Sequence, residues 1–283
     1  MSNQNPNLAR RPLWKRLGGQ LRWGWHRTLT VVDRARGPSD PLLPPAHLRF
    51  YYYRSRDAEP FLRARDAVRT EVLSHGLRPG DRVLDIGSGI GNLALSLVDF
   101  LEGTYDGVEI HPAAVAWCQQ AIASRFPRVR FHHADIFSSA YNPAGRLAAS
   151  AYRFPFEDAR FDFVFLGSVF THMLPEDVRH YLAEIGRVLK PGGTCAASFF
   201  LLNDERRAAV IAVRSFMPFP FQDETRRARF HDIQRPEAAI ALEEDFVAEA
   251  YAAAALDIRA IRRGDWWNGR ADDQDVVTAV SRA

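Results

Sequence analysis

Cysteine is nearly missing from this chain: of 283 residues only Cys118 and Cys195 carry thiols. They lie far apart and share no metal-ligand spacing, so neither a disulfide framework nor a thiolate metal centre organises the fold. Buried thiols in a reducing compartment are the expectation. Lysine is as scarce, with only Lys15 and Lys190. Arginine therefore carries nearly all the basic charge, a usage in keeping with a GC-rich genome. No apolar run reaches the roughly 18 residues a membrane span needs, and no secretory leader with an apolar centre is visible. A cytoplasmic protein is expected.

What is present is ordinary in amount and uneven in placement. Hydrophobic residues make up 47% and charged residues 25% of the chain, values of a globular protein with room for one large core. The net charge is +3, yet residues 1–37 carry eight basic residues (Arg10, Arg11, Lys15, Arg16, Arg22, Arg27, Arg34 and Arg36) against Asp33 alone, or +7. The remainder is thus −4 and lacks the basic face of a nucleic-acid binder. Trp14, Trp23 and Trp25 interleave with the arginines. This arm, residues 1–45 with the proline-rich linker GPSDPLLPP, reads either as a tail packed on the body or as a membrane-surface contact.

Residues 46–283 read as one domain organised around RVLDIGSGIG, Arg82–Gly91. An apolar strand runs into Gly87, Gly89 and Gly91, and an amphipathic run from Asn92 to Leu101 follows. Glycines admit positive φ and close approach of a ligand to the backbone, and the helix N-terminus adds free N–H groups. The spacing is G-x-G-x-G, and Asp85 precedes it by two residues. An acid there repels a pyrophosphate and suits a ligand bearing an amino group.

This stretch resembles the first motif of the class I S-adenosylmethionine-dependent methyltransferases, and later motifs match in order across roughly residues 80–200. The resemblance implies a three-layer α/β, Rossmann-like fold with a seven-stranded sheet, the last strand antiparallel, carrying an N-terminal arm and a substrate-side insert at residues 203–254. It implies S-adenosylmethionine as cofactor, held by Asp85, Gly87, Ser88, Gly89, Gly91, Glu109, Ile110, Asp135, Ile136 and Ser168. Glu109 ends a second strand (YDGVEI) about 20 residues past the glycines, where an acid binds both ribose hydroxyls. Asp135 would meet the adenine amino group, with Ile136 against the ring.

Between a third strand (128–134) and a fourth (161–167) lies a long aromatic loop, 137–158, read as a substrate-side lid. Tyr141, Tyr152 and Phe154 in this loop, and Tyr52 in the Tyr51–Tyr53 triplet, are the candidate substrate contacts. His172, just past strand four, is the base candidate, with an ordinary imidazole pKa of about 6.5; a bonding role near the cofactor is its alternative. Tyr141, Arg229 and His231 are further candidates. LKPGG, 189–193, reads as the turn before a fifth strand, and GDWWNGRADDQD as a polar hairpin between the last two. No N/D-P-P-Y/F and no Pro-Cys follows strand four, and no acidic cluster suggests a metal site. O-methylation of a small molecule such as a sugar, polyketide or phenol is the leading expectation. A non-catalytic cofactor-binding module serving a partner, and N- or C-methylation, stay open, as does the oligomeric state.

Overall fold

The computed structural model describes residues 40–139, 141–211, 217–268 and 273–282. The arginine- and tryptophan-bearing arm, with both readings of it, lies outside them. The described residues divide after Arg63 into two compact units. In the first, α1 (Ala46–Tyr53) ends where Arg54 adopts φ 56° and returns its N–H to the Phe50 carbonyl. Its three tyrosines are half-buried; the Tyr51 and Tyr52 rings meet edge-on with centroids 5.1 Å apart. A second helix, α2 (Glu59–Ser74), crosses the boundary between the units. It stops just before Gly76, whose φ of 91° lets Leu77 N–H reach back to the Val72 carbonyl.

The second unit alternates strand and helix. In chain order its described strands are β1 (Val83–Ile86), β2 (Tyr105–Glu109), β3 (Val129–His133), β4 (Phe161–Leu166), β5 (Leu189–Phe199), β6 (Leu201–Leu202), β7 (Phe221–Gln222), β8 (Ala228–Phe230), β9 (Ile240–Glu243), β10 (Leu256–Arg262) and β11 (Asp275–Ser281). Its helices after α2 are α3 (Asn92–Leu97), α4 (Pro112–Cys118), α5 (Pro175–Val188), α6 (Asp204–Ile211) and α7 (Glu244–Ala253).

Seven strands pair in the order β10-β11-β5-β4-β1-β2-β3. β1 pairs in parallel with both β2 and β4, and β11 runs antiparallel between β5 and β10. β1 and β2 are buried along their whole length, which is why they read as continuous apolar runs broken only by Asp85, Asp106 and Glu109. The chain steps outward from β1 through β2 to β3, then returns to place β4 on the other side of β1. The C-terminal ends of β1 and β4 therefore flank the switch point, where open α/β sheets bind ligands.

α5 buries Val178, Leu182, Ile185 and Val188 and ends at Val188, because Leu189 is already extended and paired with Phe161. β5 accordingly begins at Leu189 and takes the LKPGG segment into the strand, with a register irregularity opposite Phe161 and Phe163. The helix after β2 converts at Gln119–Ala123 from α to a wider π turn. The chain leaves the main sheet after Phe199. β6 then joins a second sheet of order β6-β9-β8-β7, packed around Phe200, Leu202, Val210, Phe219, Ala241 and Trp266. α7 lies against α5 at Gly186, where a Cβ would come within 2.3 Å of the Ala254 carbonyl oxygen.

Candidate functional site

The turn after β1 is built to let two loops meet. Gly87, Gly89 and Gly91 all have positive φ, at 77°, 55° and 79°. A Cβ on Gly87 would fall 2.4 Å from Val169 Cγ2, so the turn after β4 presses on the first glycine. One on Gly91 would fall 2.5 Å from Ile122 Cδ1. Both side chains are excluded by packing as well as by backbone strain.

Two carboxylates stand under this turn. Glu109 is buried at the end of β2, its Oε2 accepting from Gly89 N–H at 2.9 Å and its Oε1 from His111 N–H at 2.8 Å. Burial pushes its pKa up, against those two backbone donors. Asp85 is only 4% exposed and accepts from the Tyr105 hydroxyl. Burial lifts Asp85 to about 7, with the Tyr105 hydrogen bond opposing and the Glu109 charge adding.

Further round the rim, Asp135 points outward and is paired with Arg146, whose hydrogen bond lowers its pKa. Ile136 is buried in the core, and Ile110 packs partly against it. Ser168, two residues past β4, adopts a left-handed conformation, φ 56°, uncommon for a residue with a side chain. Its N–H donates to Ser198 Oγ at 2.7 Å, and its Oγ lies 2.9 Å from Gln274 Nε2.

Past the end of β4, His172 sits in a short 3-10 turn, Phe170–His172. Its Nδ1 lies 3.0 Å from the Glu237 carbonyl oxygen, and its Nε2 lies 3.1 Å from the Tyr141 hydroxyl. A carbonyl can only accept, so Nδ1 carries the proton in a neutral ring. Nε2 then offers its lone pair, and Tyr141 donates to it. Burial lowers the His172 pKa, which keeps the ring neutral. Glu237 also ties the lid down, its Oε2 accepting from Ser139 N–H at 2.7 Å and Ser139 Oγ–H at 2.6 Å. Glu237 carried no signal in the sequence, since its backbone carbonyl does the work.

Other candidates fall elsewhere. Phe154 is 1% exposed and edge-on to Tyr181, a core position rather than a ligand surface. Tyr152 is nearly as buried and packs beside it, with its carbonyl taken by His180. Arg229 and His231 are spent on the Phe219, Pro220 and Pro218 carbonyls and hold that stretch of the insert. Tyr52 belongs to the first compact unit.

The family model described as "Methyltransferase domain" matches residues 84–197, from β1 to β5. The chain carries a class I, S-adenosylmethionine-dependent methyltransferase domain. The 27-O-demethylrifamycin SV methyltransferase of Amycolatopsis mediterranei is 33% identical over 128 residues, 44% of this chain and 41% of that protein. The sterol 24-C-methyltransferase of Schizosaccharomyces pombe is 25% identical over 135 residues, 48% of this chain and 32% of that one. The chain thus matches well under half the length of either relative. In fold it is similar to the Burkholderia thailandensis 1,6-didemethyltoxoflavin-N1-methyltransferase crystallised with S-adenosylhomocysteine. That likeness has a TM-score of 0.52 at 22% identity and covers 84% of this chain and 86% of that one.

The residues of this methyltransferase domain fit its cofactor. The three positive-φ glycines bend the backbone so that the Gly89 N–H meets the Glu109 carboxylate. Ser88 Oγ is buried there with no hydrogen-bond partner among the described residues. Asp85 is a buried acid whose one hydrogen-bonding side chain among the described residues is a phenol, so a cation is what it lacks.

Proposed function

We propose that this chain moves a methyl group from S-adenosylmethionine to a hydroxyl oxygen of a ring-bearing small molecule, of the sugar, polyketide or phenol class. The observation that carries this reading is the pair of Tyr141 and neutral His172 beside the end of β4. A hydroxyl acceptor must lose its proton as its oxygen bonds to carbon, and the pair is a sink for that proton. When bound, S-adenosylmethionine supplies an activated methyl carbon with a neutral thioether as leaving group.

In this reading His172 is the base and Tyr141 stands between it and the acceptor. The acceptor O–H donates to the Tyr141 oxygen while the Tyr141 proton passes to Nε2. Glu237 keeps the ring turned and ties the lid to the insert. Asp85 takes the cofactor's amino group, Glu109 its ribose hydroxyls, and Asp135, Ile136 and Ile110 its adenine; Ser168 lies toward the methionine end. Exposed Phe137 and Leu147 on the lid and Ile233 on the insert add apolar surface, which suits a bulky, poorly soluble acceptor. The name of the Amycolatopsis relative supports oxygen as the acceptor atom. The sterol relative's name favours a second reading, transfer to carbon. Among the described residues no helix is long and apolar enough to cross a membrane.

The first test is calorimetric titration with S-adenosylhomocysteine, followed by an acceptor screen with labelled S-adenosylmethionine and NMR of the product. Saturable binding with an O-methylated product supports the reading, and a C-methylated product replaces it. Tight cofactor binding without turnover on any acceptor leaves a binding module. Within the same assay, Glu109→Ala is expected to weaken S-adenosylhomocysteine by about 10- to 100-fold, the worth of one or two hydrogen bonds to a charged group. Glu109→Gln, which keeps one acceptor oxygen, should fall between. Unchanged affinity in both would remove Glu109 from the ribose site.

A further inference from the structure

The glycine turn hides a second group beneath Asp85. Tyr105 opens β2, in register with Val83, while Asp85 faces Gly107 two residues on. Side chains two apart on a strand share a face, so Tyr105 and Asp85 lie diagonally on one side of the sheet. Gly107 is bare because a Cβ there would meet Phe131 Cδ1 and Ser88 Oγ at 2.9 Å. The phenol is 1% exposed, its ring 5.8 Å from that of Phe131, and its hydroxyl donates to Asp85 Oδ2.

We propose that Tyr105 and Asp85 form a buried pair that holds one exchangeable proton in the free protein and releases it when the amino-acid end of the cofactor binds. Tyr105 is the positioning residue: it aims the carboxylate and supplies part of the stabilisation that its charged form needs. This inference rests on the assignment of Asp85 to the cofactor's amino group.

The groups facing Asp85 leave little else to balance a charge. Glu109 from the end of β2 repels it, and Cys118 from α4 is a thiol whose own pKa is driven well up by burial. α3 contributes the Ala94 backbone, near Tyr105. Burial drives the Tyr105 pKa far above the ordinary phenol value, so the phenol keeps its proton and acts only as donor. The carboxyl, at about 7, is the member that titrates. On binding, the Asp85 O–H proton leaves to the buffer and the carboxylate pairs with the incoming ammonium. Affinity is therefore full above about pH 7 and falls as the pH drops below it, where the proton must first be removed.

The test is calorimetric titration between pH 6 and 8 in two buffers of different ionisation enthalpy. Two probes are used: S-adenosylhomocysteine, and 5′-methylthioadenosine, which keeps the nucleoside and lacks the amino-acid end. S-Adenosylhomocysteine is expected to bind about tenfold more weakly at pH 6 than at pH 8, with nearly one proton released at pH 6. Methylthioadenosine is expected to give a flat profile. Tyr105→Phe removes the donor, makes the ionised carboxylate harder to form, and moves the loss of affinity to higher pH. A flat S-adenosylhomocysteine profile without proton release overturns the pair while leaving the cofactor reading intact. Equal pH dependence for both probes also overturns it, by moving the titration to the ribose acid. A Tyr105→Phe profile that matches the wild type overturns the part given to Tyr105. No S-adenosylhomocysteine binding at any pH overturns the cofactor reading and the pair together.

Discussion

Asp275→Ala is expected to lower the unfolding free energy by about 3–5 kcal/mol, read as a fall in the urea midpoint with little change in slope. Asp275 opens β11, is wholly buried, and gathers five donor contacts. Arg206 Nη1 reaches Oδ1 at 2.7 Å and Oδ2 at 2.8 Å. The Trp266 indole N–H donates at 2.8 Å, and the backbone N–H groups of Gly264 and Leu201 at 2.9 and 3.0 Å. Arg206, only 5% exposed, returns donors to the Gly264 and Leu201 carbonyls. Truncating the acid leaves a buried guanidinium without its counter-charge, and an indole N–H and two peptide N–H groups without their acceptor, which is why the expected loss exceeds that of an ordinary core deletion. A companion Arg206→Met change in the same chain should recover part of the loss by removing the orphaned charge. It cannot recover all, because Trp266 and the two backbone donors stay unpaired. An unfolding free energy within about 1 kcal/mol of the wild type would show that water reaches the cluster.

That cluster also marks where sequence reading stops. The inner strands β1, β2 and β4 were legible because burial on both faces forces near-continuous apolar runs, and Asp85, Glu109 and Asp135 stood out as acids at strand ends. Trp266 was not: in GDWWNGRADDQD its polar neighbours argue for a solvated hairpin. Its burial depends on Arg206 and Asp275, 60 and 9 positions away in the numbering, closing over it. The same limit applies at the acceptor side. His172 and Tyr141 were each visible as chemistry-bearing residues. Their pairing, 31 positions apart, and the carbonyl of Glu237 that selects the tautomer are products of loop geometry, to which residue type contributes nothing. Phe154 erred in the opposite direction. An aromatic in a ligand-side loop looks like a substrate contact, but here the loop folds back to hang it from Glu184, its N–H donating to Oε2 at 2.8 Å, and seats its ring in the core.

His172→Ala is expected to reduce turnover by about 10²- to 10⁴-fold, the usual worth of a positioned base, while S-adenosylhomocysteine affinity stays within about twofold of wild type. The split follows from where the ring points: its partners are the Glu237 carbonyl and the Tyr141 hydroxyl, both on the acceptor side, and none is in the glycine turn. Tyr141→Phe keeps the aromatic body and removes only the hydroxyl that links acceptor to ring. It should lower kcat by a similar order if the proton passes through the phenol, and hardly at all if the acceptor reaches Nε2 directly. The pH profile supplies an independent check. Because burial lowers the His172 pKa, the ring stays neutral, and activity persists, to a pH below the ordinary imidazole value. The acid limb of kcat should lie below about 6.5 and vanish in His172→Ala. Ring-nitrogen NMR of the free protein should show the proton on Nδ1, as the Glu237 carbonyl demands. Full activity in both variants, or a proton on Nε2, would strip the pair of its catalytic part and leave it as the tether that closes the lid on the insert.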